Sequence, residues 1–176
     1  MRSLLIMSLL VDSHCDLAWN MLCFGRDYTL PVAETRAREK GSLAVEVNGD
    51  TLLGWSEYQS AQTAIIFSTL FVAPCRSRES DWDELCYADF DEAHTLQRRQ
   101  LHIYHDLADS KPDYFRFIRT RRELEEHLRD WADQGKYNHP SDNQQHFLEV
   151  HGSLLLVKII VLDVPEIHTP GIITNP

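Results

Sequence analysis

The sequence predicts an α/β protein built around a parallel sheet, and two observations carry that expectation. Three continuous apolar runs, at residues 6–11, 63–73 and 153–162, are separated by long stretches with helical periodicity. Parallel neighbours need long, usually helical crossovers, and strands covered on both faces read as unbroken apolar stretches. The second observation is size: 176 residues with 43% hydrophobic and 25% charged side chains fit one domain with a real core, here residues 1–176. Disordered, collagen-like and coiled-coil chains have different compositions.

Taken in order, residues 6–11 predict a fully buried first strand that ends in Asp12-Ser13-His14-Cys15-Asp16. Residues 17–60 are a mixed excursion broken by Pro31, Gly41, Gly49 and Gly54, with a polar, helix-compatible piece at 34–40. Residues 63–73 are β-branched and aromatic, and Pro74 stops them as a second strand. Asp81-Trp82-Asp83-Glu84 reads as a capping box opening a long helix to about Asp109. Its inward face is Ala93, Leu96, Leu101, Tyr104 and Ala108, and Pro112 closes it. Residues 114–118 are a short apolar segment, and Thr120-Arg121-Arg122-Glu123 caps a helix carrying Leu124, Leu128 and Trp131. A polar loop is expected at 135–145. The third strand at 153–162 is interrupted only by Lys158, and an irregular tail follows over 164–176.

Charge and cysteine usage narrow the function classes. A net charge of −10 leaves no basic surplus to neutralise phosphates, so nucleic acid and anionic membranes are excluded as partners. The N-terminal apolar run is too short to span a bilayer, and Asp12 arrives with no cleavage site before it, so no membrane association is expected. Cys15, Cys23, Cys75 and Cys86 form no C-x-x-C pair, which predicts reduced thiols in a cytoplasmic protein.

The candidate site is His14 and Asp16, just past the carboxyl end of the first strand, where α/β sheets and barrels bind their ligands. In an extended segment an H-x-D pair aims both side chains the same way, and an imidazole with a carboxylate suits zinc or a similar divalent ion. Cys15 between them faces the other way, as a small core residue. Trp19, three residues beyond Asp16, is the candidate substrate-binding aromatic. His102, His105 and Asp106 have metal-compatible spacing but read as a solvated helix face, as do His94 and His127. Arg119, Arg121 and Arg122 are followed by Glu123, Glu125 and Glu126, a mixed-charge surface.

Val11-Asp-Ser-His-Cys-Asp-Leu17 resembles the first-strand motif of the membrane dipeptidase (renal dipeptidase-like) metallopeptidases, a branch of the amidohydrolase superfamily. Ile65-Ile-Phe-Ser-Thr-Leu-Phe-Val-Ala-Pro74 is similar to the family's second strand. Leu96-Gln-Arg-Arg-Gln-Leu-His-Ile-Tyr104, Phe117-Ile-Arg-Thr120 and Asp163-Val-Pro-Glu-Ile-His-Thr-Pro170 are similar to segments further along. The resemblance implies a (β/α)8 TIM-type barrel, of which this chain supplies roughly the first three strands with their helices, as one incomplete domain. It implies a two-zinc site that hydrolyses dipeptides, with His14 and Asp16 as metal ligands. The family's bridging glutamate falls here on Ile160 and a following glycine on Val161, while Glu166 lies beyond a proline.

Two ligands hold zinc poorly, because catalytic sites normally use three or more protein ligands. The expectation is therefore a truncated dipeptidase-like hydrolase that is inactive as this chain alone. A non-catalytic scaffold or interaction fragment is the alternative, with self-association through open sheet edges. A TatD-like metal-dependent nuclease is less favoured, since Asp16 replaces that group's second histidine and the chain is acidic.

Overall fold

Four parallel strands form the main sheet of the computed structural model, which describes residues 9–78, 80–137 and 157–161. The elements are β1 (Leu10–Cys15), α1 (Leu17–Phe24), α2 (Val32–Glu39), α3 (Leu43–Asn48), α4 (Trp55–Ser60) and β2 (Thr63–Ser68). There follow β3 (Ala73–Pro74), β4 (Cys86–Tyr87), α5 (Phe90–Ser110), β5 (Phe115–Phe117), α6 (Arg121–Tyr137) and β6 (Val157–Val161). The polar loop expected at 135–145 begins too early, since α6 continues to Tyr137; its remainder and the expected tail at 164–176 lie outside the described residues.

The sheet order is β1-β2-β6-β5, every pairing parallel, and β3 with β4 makes a separate two-stranded ribbon. The parallel sheet follows the sequence expectation, with the segment at 114–118 contributing a fourth strand. The described sheet is open, and β6 lies between β2 and β5 rather than after β5. Crossovers between parallel strands are right-handed, so reversing direction along the sheet moves the connecting helix to the other face. The connections β1-to-β2 and β2-to-β5 run one way, and β5-to-β6 runs back. Packing agrees. Ile66 joins a cluster with Leu17, Ala18, Trp55, Tyr58, Tyr104 and Leu107, from α1, α4 and α5. Ile65 and Phe67 pack instead with Leu124, Leu128 and Trp131 of α6. Helix cover on both faces explains why β2 is an unbroken apolar run.

β1 differs from its expectation in both place and burial. It starts at Leu10 and carries His14 within the strand, and Leu9, Leu10 and Val11 are 41–44% exposed rather than buried. The physical reason is position: among the described strands β1 pairs with β2 alone and ends the sheet.

The long helix also starts later than its expected cap at Asp81. Asp89 is the cap, accepting from the Glu92 N–H at 2.9 Å while Glu92 Oε2 accepts from the Ala88 N–H at 2.7 Å. This arrangement is close to a capping box, with Glu92 reaching the residue before the cap, and it lies eight residues downstream because Cys86 is drawn into the β3–β4 ribbon. The second box forms as expected: the Glu123 N–H donates to Thr120 Oγ1 at 3.2 Å, and Glu123 Oε2 takes the Thr120 N–H at 2.9 Å.

Two cysteines are joined, contrary to the expectation of four reduced thiols. Cys75 and Cys86 form a disulfide with Cα atoms 4.7 Å apart, while Cys15 and Cys23 are free. Pairing of Ala73 with Cys86 and Pro74 with Tyr87 brings the two sulfurs together, which a spacing of eleven residues does not announce. His127 corrects a second expectation. It is 2% exposed, and its Nε2 lies 2.8 Å from the Ala64 carbonyl, fastening α6 to β2.

Two residues one turn apart on α5 fasten the chain where β1 and β2 end. Tyr104, fully buried, accepts the Ala18 N–H on its hydroxyl at 3.1 Å and donates to the Thr69 carbonyl at 2.9 Å. The Gln100 amide, also fully buried, donates to the Phe71 carbonyl at 2.7 Å and accepts the Phe71 N–H at 3.0 Å. Stranding a buried backbone group costs about 1–3 kcal/mol. Tyr104→Phe should therefore lower stability in urea by roughly 1–3 kcal/mol at unchanged m-value. A loss below about 0.5 kcal/mol, the level of an ordinary surface change, would refute the bridging role of the hydroxyl.

Candidate functional site

His14 and Asp16 meet at the carboxyl end of β1, next to Thr69 just past β2. β1 pairs Asp12 with Ile66 and Cys15 with Ser68, so one extra residue is accommodated between Asp12 and Cys15. Such a bulge re-aims side chains, and here it lies beside His14. The His14 N–H donates to Asp12 Oδ1 at 3.2 Å. Asp16 has left the strand, with φ −87° and ψ 52° at the head of α1. The two side chains therefore converge through a turn rather than through strand periodicity, and the result is the same. His14 Nε2 lies 3.4 Å from Asp16 Oδ2, with the imidazole 70% and the carboxylate 31% exposed.

Asp16 is held from the sheet side. The Thr69 hydroxyl, just past β2, donates to Asp16 Oδ1, and the Thr69 N–H donates to the Cys15 carbonyl at 3.2 Å. Thr69 is itself placed by Tyr104, so α5 sets the carboxylate through one intermediate residue. One oxygen of Asp16 is occupied by this contact, and the other faces the imidazole. Nothing in the sequence pattern singled out Thr69 or Tyr104 for this role, because neither belongs to a motif.

Cys15 points away into the core, as expected, 8% exposed with its sulfur 3.5 Å from the Tyr58 hydroxyl. Burial pushes its thiol up from 9.0 to about 11, against the lowering effect of the Tyr58 hydrogen bond, and the Asp12 and Asp16 charges raise it further. Burial likewise pushes the Cys23 thiol up to about 11.

Trp19 is half-buried at the centre of an aromatic cluster. Its ring meets Phe24, Phe71 and Trp82 edge-on, with centroids 5.3, 6.3 and 6.1 Å away. Its indole Nε1 is buried with no hydrogen-bond partner. Phe24 and Trp82 complete the cluster at 5.6 Å. Trp82 comes from the disulfide-closed segment, so it reaches Trp19 only through the tertiary fold.

The other histidine candidates stay apart from the site. His102 and Asp106 are exposed and 3.8 Å apart, a solvated pair as expected. His105 packs on Phe117 at 4.5 Å. Among the described residues no group of three or more His, Cys, Asp or Glu side chains is disposed to hold a metal ion, so His14 and Asp16 stand as a pair. Also among the described residues, no helix is long and apolar enough to cross a membrane. A cavity of about 450 Å³ opens between the end of α5, β5 and α6, lined by Asp109, Arg116, Arg119, Glu123, Glu126 and Asp130 among others. None of its lining residues belongs to the His14–Asp16 cluster.

The raised thiols carry a pH dependence. Above pH 9 the unfolded chain loses thiol protons that the folded chain retains until about 11. This contribution to stability is complete below pH 9 and is lost as pH rises through the folded values. Denaturant midpoints should fall between pH 9 and 11, and iodoacetamide at pH 8 should label Cys15 far more slowly in the folded chain than in urea. Equal labelling rates in both states would contradict the buried, protonated thiol.

No protein-family model matches this chain, and no match is found among curated proteins or solved structures.

Proposed function

We propose that His14 and Asp16 are a divalent-metal pair of dipeptidase-like hydrolase chemistry, and that this chain alone does not turn over dipeptides. One observation carries the reading: an imidazole nitrogen and a carboxylate oxygen converge to 3.4 Å at the carboxyl end of a parallel strand. The donor set fits zinc, which takes nitrogen and oxygen ligands. Thr69 supplies the outer hydrogen bond that orients a ligating carboxylate, a support that metal sites commonly use. When bound, the ion would polarise a peptide carbonyl and lower the pKa of a water. The chain's own part is to hold the ion with His14 and Asp16, keep Asp16 oriented through Thr69, and wall one side with Trp19.

A two-donor pair falls short of the three or more protein ligands that catalytic zinc normally has, which supports weak binding without turnover. The barrel reading rests on β1 and β2, which are adjacent and parallel with the pair at their carboxyl ends. The cytoplasmic placement belongs to this proposal too. In that compartment a disulfide such as Cys75–Cys86 is transient or redox-sensing rather than a permanent staple. The alternative, a non-catalytic scaffold that associates with itself or a partner, is favoured by the exposed apolar side chains of Leu9, Leu10 and Val11 at the edge of the described sheet.

Zinc titration of the full chain against a chromophoric chelator tests the pair. Binding should be weak in the wild type and lost in both His14→Ala and Asp16→Asn. Unaltered binding in His14→Ala would remove the imidazole from the site. A dipeptide panel assayed with added Zn²⁺ should show no turnover, and turnover that disappears in His14→Ala would overturn the inactivity of the isolated chain.

A further inference from the structure

We propose that the Cys75–Cys86 disulfide is a redox latch that holds Trp82 closed over Trp19, and that its reduction opens the flank of the His14–Asp16 site. The inference deepens the metal-pair reading and rests on it for the identity of the site.

Besides the disulfide, this segment is held by a minimal ribbon, by buried Leu85 and by a hydrogen bond between the Glu84 backbone and Cys23 of α1. The β3–β4 ribbon is two residues on each side, a pairing far too short to be stable by itself. Arg78 braces the turn inside the loop, donating to the Asp83 carbonyl at 3.1 Å and the Asp81 carbonyl at 2.7 Å. Leu85 is buried and its carbonyl takes the Ala73 N–H at 3.2 Å. The loop also packs on α1 through Trp82, which meets Trp19 and Phe24.

The closed arrangement also carries two penalties. Asp83 is 7% exposed, and its Oδ1 is buried with no hydrogen-bond partner. Trp19, which meets Trp82 edge-on, has its Nε1 buried without a partner. Unpaired buried polar groups favour any state that returns them to water. A covalent closure working against such penalties is what a bistable element requires, since breaking one bond then shifts the balance.

The chemistry is thiol–disulfide exchange with an external dithiol. Its thiolate attacks one sulfur of the pair, and its second thiol resolves the mixed disulfide. The dithiol is oxidised to a disulfide, and its two electrons and two protons leave Cys75 and Cys86 as free thiols. Cys75 is exposed, so a reductant reaches it from solvent.

The test uses the full chain, oxidised with oxidised glutathione or reduced with dithiothreitol, with the thiol state read by alkylation and mass spectrometry. Reduction should shift tryptophan emission to the red, increase acrylamide quenching and speed tryptic cleavage after Arg78. The double variant Cys75→Ser/Cys86→Ser should show the reduced values without reductant and respond to none, and Trp82→Phe should lose most of the emission change. The latch is overturned if both thiols are freed while emission, quenching and cleavage stay at their oxidised values. Failure of oxidised glutathione to close the disulfide overturns it equally. Zinc alone, titrated into both forms, separates the two readings: an emission response with zinc bound to neither form supports the latch and overturns only the metal pair.

Discussion

The hydroxyl of Tyr104 is the contact on which the candidate site depends. It sits at the meeting point of three elements, accepting a hydrogen bond from the Ala18 N–H at the head of α1 and donating one to the Thr69 carbonyl past β2. Both partners are backbone groups, one in the first turn of α1, where Ala18 is fully buried, and one just past β2, and an unmatched buried amide is expensive. Gln100, one turn earlier on α5, does the same for both backbone groups of Phe71. The long helix therefore does more than cover the sheet. It determines where β2 stops being a strand, which places Thr69 against Asp16 and so orients the carboxylate toward His14.

A second constraint keeps the excursion between β1 and β2 folded onto α1. Arg26 is 7% exposed and faces Glu39, 8% exposed, with Nε 3.0 Å from one carboxylate oxygen. The remaining guanidinium donors reach Asn20 Oδ1 at 3.0 Å and the Gly49 carbonyl at 2.8 Å. A buried ion pair contributes little net stability against a hydrophobic substitute, but losing one partner strands a charge, so it selects one arrangement sharply. Gly25, with φ +66°, ends α1 with its N–H on the Met21 carbonyl and turns the chain toward Arg26. Nothing in the polar composition of residues 25–50 reveals this, since charged side chains in such a stretch are ordinarily solvated.

The legible features were those that local rules control. β2 lies within the run at 63–73 because its side chains are apolar on both faces. It stops at Ser68 rather than Ala73 because Tyr104 takes the Thr69 carbonyl and Gln100 takes both backbone groups of Phe71, contacts across 35 and 29 residues. The box at Thr120–Glu123 was readable, whereas Asp81–Glu84 has the same pattern and caps nothing, because tertiary pairing claims Cys86 first. Three glutamates and two arginines precede His127 and mark a surface in the sequence, yet the residue is buried. Its neighbours on α6 are solvated, while the face bearing His127 and Trp131 turns to the sheet.

By itself the sequence determined the parallel α/β sheet, the helix cap at Thr120–Glu123 and the approach of His14 to Asp16. These follow from side-chain periodicity and from donors and acceptors a few residues apart, and both are properties of short segments. Tertiary structure alone decided the order β1-β2-β6-β5, the Cys75–Cys86 bond, the Thr69 contact to Asp16 and the approach of Trp82 to Trp19. Each joins residues distant in the chain or strands whose order no local pattern encodes. Such pairings arise only when competing burial and hydrogen-bond demands are met together.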